Sequence, residues 1–209
     1  MAFPSELALA TKNPGKIEEI LRICADWPVT WVTACGPSGA EPMSPRWPDV
    51  EETGETYLDN ALLKARTVAR EIGVPAVADD SGIEVDALGA APGPRSARFA
   101  GKGATDQDNL RLLIQRVRPI PESERTARYR CVAACVWPGG RQAWTEATCE
   151  GRLTLEPRGT GGFGYDPIFV PEGEHRTMAE LSPAEKDAIS HRGKAFRALR
   201  ELLAGVALV

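Results

Sequence analysis

The chain has 209 residues, of which 43% are hydrophobic and 26% charged, and its 29 acidic and 25 basic residues give a formal net charge of −4. This size and composition fit one domain, or two closely packed lobes, with a substantial core. The mild acidity argues against a nucleic-acid surface, and the lack of an apolar run near 18 residues argues against a membrane span. The first residues lack the basic-then-apolar order of a signal peptide, so we expect a cytoplasmic protein.

The cysteines give a second indication of the compartment. All five lie in apolar or loop contexts, and none of them forms a Cys-x-x-Cys pair. This pattern predicts reduced thiols, with neither disulfides nor a zinc site.

The chain opens with a predicted strand, loop and helix. Residues 7–10 are a short apolar run, and apolar residues recur at helical spacing after Lys16. Asn13 is a good N-cap and Pro14 a good first helical residue, so free backbone N–H groups and the positive end of the helix dipole lie beside Lys16. Such a position can hold phosphate. Taken alone, however, this stretch is better explained as an ordinary capped helix with a solvated lysine. The P-loop pattern is absent.

The next segment is irregular and then helical. A second strand near residues 29–32 precedes a proline-rich stretch at 34–49, which we expect to be an exposed loop. Glu51 and Glu52 follow it, just before an amphipathic helix that ends near Ile72. Either glutamate is a candidate metal ligand, and either is also explained as a charge favoured by the helix dipole.

The most informative stretch in the middle of the chain is an apolar run that leads into two carboxylates. Residues 74–78 predict a buried strand that ends in Asp79-Asp80-Ser81-Gly82. Neighbouring side chains point to opposite faces of an extended backbone, so the two aspartates should have different roles. Such a pair suits binding of Mg²⁺ or removal of a proton from water. A solvated turn at the end of the strand is the alternative interpretation.

The following elements define the fold class. Residues 83–88 predict a strand with one solvated face, and residues 105–117 predict a helix. Two long alternating segments, 127–137 and 142–155, are joined by a turn sequence that is typical of a hairpin. Helices flanking strands together with a long hairpin predict an α/β fold with a mixed sheet.

A glycine-rich stretch at 159–167 satisfies Gly-x-Gly-x-x-Gly literally. The dinucleotide-binding motif requires a helix to begin there, and Tyr165-Asp166-Pro167 prevents one, so we reject that interpretation. The glycines would let a flat ligand approach the backbone and stack on Phe163 or Tyr165. A plain loop with core aromatics is the alternative.

The C-terminal pattern predicts one helix that begins with a Ser182–Glu185 capping box and continues to Leu203. Arg192 falls inside its apolar stripe, and His191 lies at the edge. A buried guanidinium needs an acceptor, unless the side chain extends to solvent or bonds a backbone carbonyl.

Taken together, these stretches resemble the inosine/xanthosine triphosphate pyrophosphatases, which remove deaminated purine nucleotides from the nucleotide pool. The resemblance runs in family order from near residue 5 to near residue 203. The matching blocks are Thr11-x-Asn13-x-x-Lys16, Glu51-Glu52-Thr53-Gly54, Asn60-Ala61-x-x-Lys64-Ala65, Ala78-Asp79-Asp80-Ser81-Gly82, Ala91-Pro92-Gly93-x-x-Ser96-Ala97-Arg98, Gly161-Gly162-Phe163-Gly164-Tyr165-Asp166-Pro167, Ala184-Glu185-Lys186 and Ser190-His191-Arg192-Gly193.

The resemblance implies a fold and an assembly. It implies a single inosine triphosphatase-like domain over residues 1–209, built on an elongated mixed β-sheet flanked by helices, with two lobes and a central cleft. It also implies a homodimer.

The resemblance further implies a set of site residues. Asp80 resembles the magnesium ligand and general base, Glu51 or Glu52 resembles a further metal ligand, with Glu51 the residue we assign, and Ser81 resembles a substrate contact. The triphosphate-binding loop would consist of Thr11, Lys12, Asn13, Pro14, Gly15 and Lys16. The nucleoside-binding loop would consist of Phe163, Gly164, Tyr165 and Asp166, with Lys186 facing phosphate and with His191 and Arg192 reading the base.

These assignments imply a reaction. With Mg²⁺ as cofactor, ITP, dITP or XTP would be hydrolysed to the nucleoside monophosphate and pyrophosphate. Three alternatives remain open from the sequence: a related enzyme acting on modified pyrimidine nucleotides, a nucleotide-binding regulator that does not hydrolyse its ligand, and a scaffold that uses the proline-rich stretch as a peptide ligand.

Overall fold

The computed structural model describes residues 3–34 and 47–205, which form two compact units. Unit 1 comprises residues 1–80, 131–147 and 192–209, and unit 2 comprises residues 81–130 and 148–191. Most of the predicted proline-rich loop, residues 35–46, lies outside the described residues.

The described residues form an α/β structure on a mixed, seven-stranded sheet, as the sequence predicts. The strands are β1 Glu6–Leu9, β2 Thr30–Thr33, β3 Ala76–Val85, β4 Ala91–Pro92, β5 Thr126–Val136, β6 Gln142–Leu153 and β7 Phe169–Pro171. The strand order is β2-β1-β3-β5-β6-β7, and β4 pairs with β3. Strand β1 pairs in parallel with β2 and with β3, whereas the β3–β4 and β6–β7 pairs are antiparallel.

The helices begin where the sequence places capping residues. Asn13 caps the first helix, and Thr56 and Thr105 form capping boxes at the starts of the second and third. Each cap satisfies backbone N–H groups that the first helical turn leaves without partners. The helices are α1 Pro14–Ile23, α2 Tyr57–Ile72, α3 Asp106–Val117, α4 Pro183–Ile189 and α5 His191–Leu203.

In unit 1 the alternation of leucine and alanine along β1 separates two cores. Leu7 and Leu9 pack in one cluster with side chains of α1 and α5, and Val77 of β3 joins them. Ala8 and Ala10 face the other way and pack with the alanine-rich face of α2. Because side chains alternate along a strand, the position of each β3 residue decides which of these helices it meets.

Unit 2 has its own core. It is built from the second half of β3, α3, and the aromatic side chains of Tyr129, Tyr165 and Phe169. Tyr129 and Phe169 make an edge-to-face contact with their ring centroids 4.8 Å apart. The hairpin predicted for residues 127–155 is confirmed, since β5 and β6 are neighbours in the sheet.

Two local predictions are wrong. Asp79-Asp80-Ser81-Gly82 is not a turn at a strand end, because β3 continues through it from Ala76 to Val85. The predicted C-terminal helix is interrupted at Ser190, whose extended backbone (φ −66°, ψ 154°) separates α4 from α5. The first error arises because polar residues can continue a strand when each one meets a partner, and a sequence window does not contain those partners.

Other predictions hold. No α-helix starts in the glycine-rich stretch, where only a 3₁₀ turn at Asp166–Ile168 follows, so the rejection of a dinucleotide-binding motif is confirmed. Within residues 3–34 and 47–205, no helix combines the length and apolar character needed to cross a membrane.

Candidate functional site

The start of α1 combines a capped helix N-terminus with the side chain of Lys16. The Asn13 side chain accepts a hydrogen bond from the backbone N–H of Lys16 at 3.1 Å, and Pro14 occupies the first turn. The helix therefore begins with a fixed geometry and directs its positive dipole end toward the preceding loop. Thr11 supports that loop, because its hydroxyl accepts from the Asn13 N–H at 3.2 Å.

Strand β3 presents its two aspartates to different helices of unit 1. Asp79 shares the parity of Val77, and Asp80 shares the parity of Ala76 and Ala78. Asp79 accordingly meets side chains of α1 and α5, whereas Asp80 meets side chains of α2. The prediction that the two carboxylates face opposite ways is confirmed, and each has its own set of partners.

Asp79 lies at the centre of a buried ionic cluster. The Lys16 ammonium lies 3.1 Å from its carboxylate, and the Arg192 guanidinium donates to it from two nitrogens, at 3.2 and 3.0 Å. Arg192 also donates to Glu19 at 2.9 Å. Burial opposes ionisation, yet Lys16, Arg192 and Lys64 together hold the pKa of Asp79 well below its usual range.

Asp80 has a different set of partners. Lys64 donates to Oδ1 at 2.9 Å, and Asn60 donates to Oδ2 at 3.3 Å. Burial raises the pKa of Asp80 despite the opposing charges of Lys64 and Lys16, and Glu52 raises it further. Asp80 is thus a stronger base than an ordinary aspartate and lies beside a neighbour that stays ionised.

The two candidate glutamates differ in their contacts. Glu52 accepts a hydrogen bond from the Lys64 ammonium at 2.7 Å, so Lys64 joins Glu52 to Asp80. Glu51 is exposed. Nearby, Lys12 extends to Asp49 in an exposed ion pair at 2.5 Å. In unit 1 the geometry therefore brings Glu52, rather than Glu51, into direct contact with the Asp80 cluster.

Unit 2 contains a second buried cluster around Asp166. One carboxylate oxygen of Asp166 accepts both the Lys186 ammonium at 2.7 Å and the Phe163 backbone N–H at 3.0 Å. The Lys186 ammonium also lies 5.0 Å from the centroid of the Phe163 ring. Asp166 thereby fixes both the predicted nucleoside loop and the predicted phosphate-facing lysine.

The glycine-rich loop is held from several sides. The Tyr165 hydroxyl donates to the Ser96 carbonyl at 2.7 Å, and the Gly164 N–H donates to Asp106 at 3.2 Å. Gly162 has a positive φ of 68°, and a β-carbon there would collide with the Asp166 carboxylate. Glycine is therefore required at this position both for its backbone conformation and for the close approach of Asp166.

His191 begins α5 and is 4% exposed. Its imidazole stacks on the Tyr129 ring, with the centroids 4.6 Å apart and the planes inclined by 6°. The flat side of the imidazole is thus covered within unit 2, which fixes the orientation of its ring edge.

The predicted residues divide between the two units. Unit 1 carries Thr11 to Lys16, Glu51, Asp80 and Arg192, and unit 2 carries Ser81, Phe163 to Asp166, Lys186 and His191. Within unit 1, Lys16 and Arg192 converge on Asp79, next to Asp80. Within unit 2, Phe163, Asp166 and Lys186 converge.

Sequence reasoning assigned no role to three members of these clusters, Glu19, Asn60 and Lys64, and it chose Glu51 over Glu52. Glu19, Asn60 and Lys64 lie on helices and are buried. Polar residues on the buried side of an amphipathic helix are the signal that could have identified them, since burial of such groups requires a partner.

The donor chemistry of unit 1 fits a hard divalent cation. Asp80 and Glu52 both direct oxygens at the Lys64 ammonium, so they converge on a site of positive charge. Within the part of the chain that the structure describes, no group of three or more His, Cys, Asp or Glu side chains is arranged around a single metal position. Two protein carboxylates, with water and substrate phosphates as the other ligands, are the set that Mg²⁺ commonly takes.

The fold and these clusters define an α/β protein in which a capped helix start and its lysine lie beside buried carboxylates. A sequence profile of the Ham1 family matches residues 7–202, and the chain belongs to that family. The dITP/XTP pyrophosphatase of Streptomyces avermitilis is 51% identical over 203 residues, which cover 95% of this chain and 99% of that protein.

Solved structures agree with this assignment. A HAM1 protein from Coxiella burnetii superposes with a TM-score of 0.81 at 38% identity, covering 96% of this chain and 98% of its own. A nucleoside-triphosphatase/dITP/XTP pyrophosphatase from Mycobacterium abscessus gives a TM-score of 0.71 at 42% identity, and the match covers 93% of this chain and 98% of that protein's chain. The family resemblance read from the sequence is thereby confirmed.

Proposed function

We propose that this protein hydrolyses deaminated purine nucleoside triphosphates, namely ITP, dITP and XTP, to the nucleoside monophosphate and pyrophosphate. Relatives that match nearly the whole chain are named dITP/XTP pyrophosphatase. The observation that carries the proposal is the Asp79–Asp80 pair of unit 1, in which one carboxylate is bound by Lys16 and Arg192 and the other by Lys64. A polyphosphate and a cation are the ligands that such charges suit.

The residues at the start of α1 would bind the polyphosphate. The positive end of the helix dipole and the Lys16 ammonium both favour an anion. Asp79 holds Lys16 through its carboxylate, which limits the positions that the ammonium can take. In unit 2, Asp166 orients the Lys186 ammonium, to which the family resemblance assigns a phosphate-facing role.

Asp80 and a nearby glutamate would hold Mg²⁺. A bound Mg²⁺ would neutralise the charge that develops on the departing pyrophosphate. The sequence assigns Glu51 to this role, whereas the contacts with Lys64 favour Glu52. Asp80 would also take the proton from the attacking water, a role that suits a carboxylate whose pKa is raised by burial.

The base would be recognised by donors. By the family resemblance, His191 and Arg192 would donate hydrogen bonds to the 6-oxo group of hypoxanthine or xanthine, and the 6-amino group of adenine would leave those donors unsatisfied. Phe163 and Tyr165 would contact the nucleoside in the glycine-rich loop. Arg192 also binds Asp79 and Glu19, so it has a structural function as well.

A panel of nucleoside triphosphates tests the proposal. Pyrophosphate release is measured with ITP, dITP, XTP, ATP, GTP and UTP, each with and without Mg²⁺. We expect release from the first three only, and only with Mg²⁺. Equal rates with ITP and ATP would contradict the base assignment, and preference for UTP or a modified pyrimidine would favour the pyrimidine alternative. Binding of ITP without pyrophosphate release would instead indicate a regulator.

We further infer a cytoplasmic location and a homodimer. The described cysteines, Cys24, Cys131, Cys135 and Cys149, are buried free thiols, which suits a reducing compartment that contains free nucleotides. The homodimer rests on the family resemblance.

A further inference from the structure

The buried side chain of Asn60 connects Asp80 to the segment that carries the candidate glutamates. Asn60 lies in the first turn of α2 and is 0% exposed. Its amide nitrogen donates to Oδ2 of Asp80 at 3.3 Å, and its amide oxygen accepts from the backbone N–H of Gly54 at 2.8 Å. Asn60 therefore uses a donor and an acceptor at once, which a carboxylate or an aliphatic side chain in its place could not do.

Asn60 and Lys64 divide the two oxygens of Asp80 between them. They lie four residues apart on one face of α2, and Lys64 donates to Oδ1 while Asn60 donates to Oδ2. Lys64 additionally binds Glu52, which lies two residues before Gly54. A neutral amide fixes the rotation of the Asp80 carboxylate without adding a second positive charge beside it.

The lack of a side chain at Gly54 allows its close contact with Asn60. A β-carbon at Gly54 would lie 2.7 Å from the Asn60 Oδ1 atom and 2.7 Å from the Asp59 β-carbon. Those distances are too short for non-bonded atoms, so any side chain at this position displaces Asn60 or the segment itself.

We propose that Asn60 is a positioning residue that orients the Asp80 carboxylate and holds the Glu51–Gly54 segment beside it. The proposal deepens the proposed function, because it assumes that Asp80 acts on water or metal. Asn60 itself touches neither the substrate nor the reacting atoms in this role.

The chain contains a matched control for this residue. Asn109 is also buried, is also the fourth residue of a helix that starts with a Thr-x-x-Asp capping box, and also accepts from a loop backbone N–H, that of Ala100 at 2.8 Å. Its amide nitrogen donates to the backbone carbonyl of Ala97 at 3.1 Å instead of to a carboxylate. The two asparagines therefore share local structure and differ in the group that they orient.

The test compares Asn60→Ala with Asn109→Ala. We expect both variants to unfold at a lower temperature. We expect Asn60→Ala alone to lose kcat with dITP by roughly tenfold or more, as for partners that orient ligating carboxylates, with KM changed by less than about threefold. A kcat for Asn60→Ala within about twofold of the wild type, at a melting temperature like that of Asn109→Ala, would overturn the proposal.

A second pair covers the case in which Asn60→Ala fails to fold. Gly54→Ala should reproduce the loss of kcat, whereas Gly139→Ala, where a β-carbon meets nothing within 4 Å, should not. Equal kcat values for these two variants would again overturn the proposal.

A readout without substrate or metal separates this inference from the proposed function. Hydrogen exchange of the Gly54 amide should be slow in the wild type and at least roughly tenfold faster in Asn60→Ala, because that amide loses its acceptor. Unchanged exchange would refute the role of Asn60 in holding the segment. A wild type that fails to hydrolyse dITP while Gly54 stays protected would refute the proposed function, and with it the orientation of a reacting Asp80.

Discussion

Asp79 and Asp80 are neighbours in the sequence with opposite acid–base behaviour. Both are buried, and burial by itself raises the pKa of either carboxyl. Lys16, Arg192 and Lys64 outweigh burial at Asp79, so its pKa falls, whereas the cations near Asp80 do not outweigh it and its pKa rises. Asp79, which stays ionised, is thereby suited to hold its cationic partners, and Asp80 is suited to exchange a proton.

Asp80→Asn should abolish turnover and leave the fold intact. Asparagine has the same shape, and its oxygen can still accept from Lys64, but its amide nitrogen then replaces the oxygen that accepts from Asn60, and it cannot take a proton or bind Mg²⁺ well. We expect kcat with dITP to fall by roughly 10³-fold. We expect the thermal unfolding temperature to fall no more than in Asn60→Ala, because the variant loses the same hydrogen bond and also removes a buried ionised carboxylate, which is itself unfavourable.

Steady-state pyrophosphate release and calorimetry measure the two effects, with Asp26→Asn as the control. Asp26 is an exposed partner of Arg200. Near-wild-type turnover in Asp80→Asn would show that the assigned base and metal ligand is wrong.

Glu51 and Glu52 can be separated by their response to metal. Glu52 contacts the lysine that binds Asp80, and Glu51 is exposed. Glu52→Gln should therefore raise the Mg²⁺ concentration required for half-maximal activity by roughly tenfold, with a smaller effect for Glu51→Gln. Titration of activity with Mg²⁺ measures both variants, and the reverse order would support the assignment of Glu51.

At the scale of elements, Arg192 joins α5 to β3 and to α1. Its guanidinium is 2% exposed and binds Asp79 and Glu19. These three elements also share an apolar core in unit 1, so the ionic cluster joins elements that already pack together. Removal of the Arg192 guanidinium would leave Asp79 and Glu19 buried without this partner. That change lowers the free energy of unfolding far more than the loss of an exposed ion pair does.

Arg192→Met should lower the free energy of unfolding by about 3–5 kcal/mol, whereas Arg200→Met on the same helix should cost less than about 1 kcal/mol. Arg200 is the matched control because its ion pair with Asp26 is solvent-exposed. Urea unfolding measures both. Unchanged stability of Arg192→Met, together with loss of discrimination between ITP and ATP, would show that Arg192 serves the base alone.

The start of α4 gives a pH-dependent prediction, because this helix carries Lys186. Glu185 accepts from the Ser182 hydroxyl at 2.7 Å and backbone N–H at 2.8 Å, and Arg176 donates to it at 3.0 Å. Hydrogen bonds from Ser182, and then from Arg176, lower the pKa of Glu185 from 4.5 to about 2. Because the folded pKa lies below the unfolded one, the ionised group stabilises the fold above pH 4.5, and that contribution disappears as the pH falls toward 2.

Glu185→Gln should accordingly lower the unfolding temperature at about pH 7, and the difference from the wild type should shrink as the pH is reduced to about 3. Thermal unfolding at a series of pH values measures this, with Glu201→Gln, at an exposed position of α5, as the control. A difference that grows toward low pH would contradict the assignment.

At the scale of the whole molecule, the family membership predicts a homodimer. Light scattering coupled to size-exclusion chromatography should give about twice the mass of one chain at micromolar concentration. A mass equal to one chain, in a preparation that hydrolyses dITP, would show that the activity does not require a dimer.

The sequence by itself determined most helix starts, the fold class and much of the local chemistry. Asn13 and Pro14 start α1, the Thr-x-x-Asp boxes start α2 and α3, and the leucine–alanine alternation of β1 separates the two cores of unit 1. The opposite faces of Asp79 and Asp80 also follow from a two-residue period. All of these depend on interactions within one or two turns of chain, which a sequence pattern records directly.

Only the tertiary structure decided which charges meet. Arg192 binds the carboxylates of Asp79 and Glu19, which lie 113 and 173 positions away along the chain. Lys64 binds Glu52 and Asp80, and no sequence pattern distinguishes these two from the other acidic residues. The continuation of β3 through Asp79-Asp80 depends on those cations, because a buried carboxylate is tolerated only where a partner meets it. The identity of that partner is set by how helices pack on the sheet, and no local pattern contains that information.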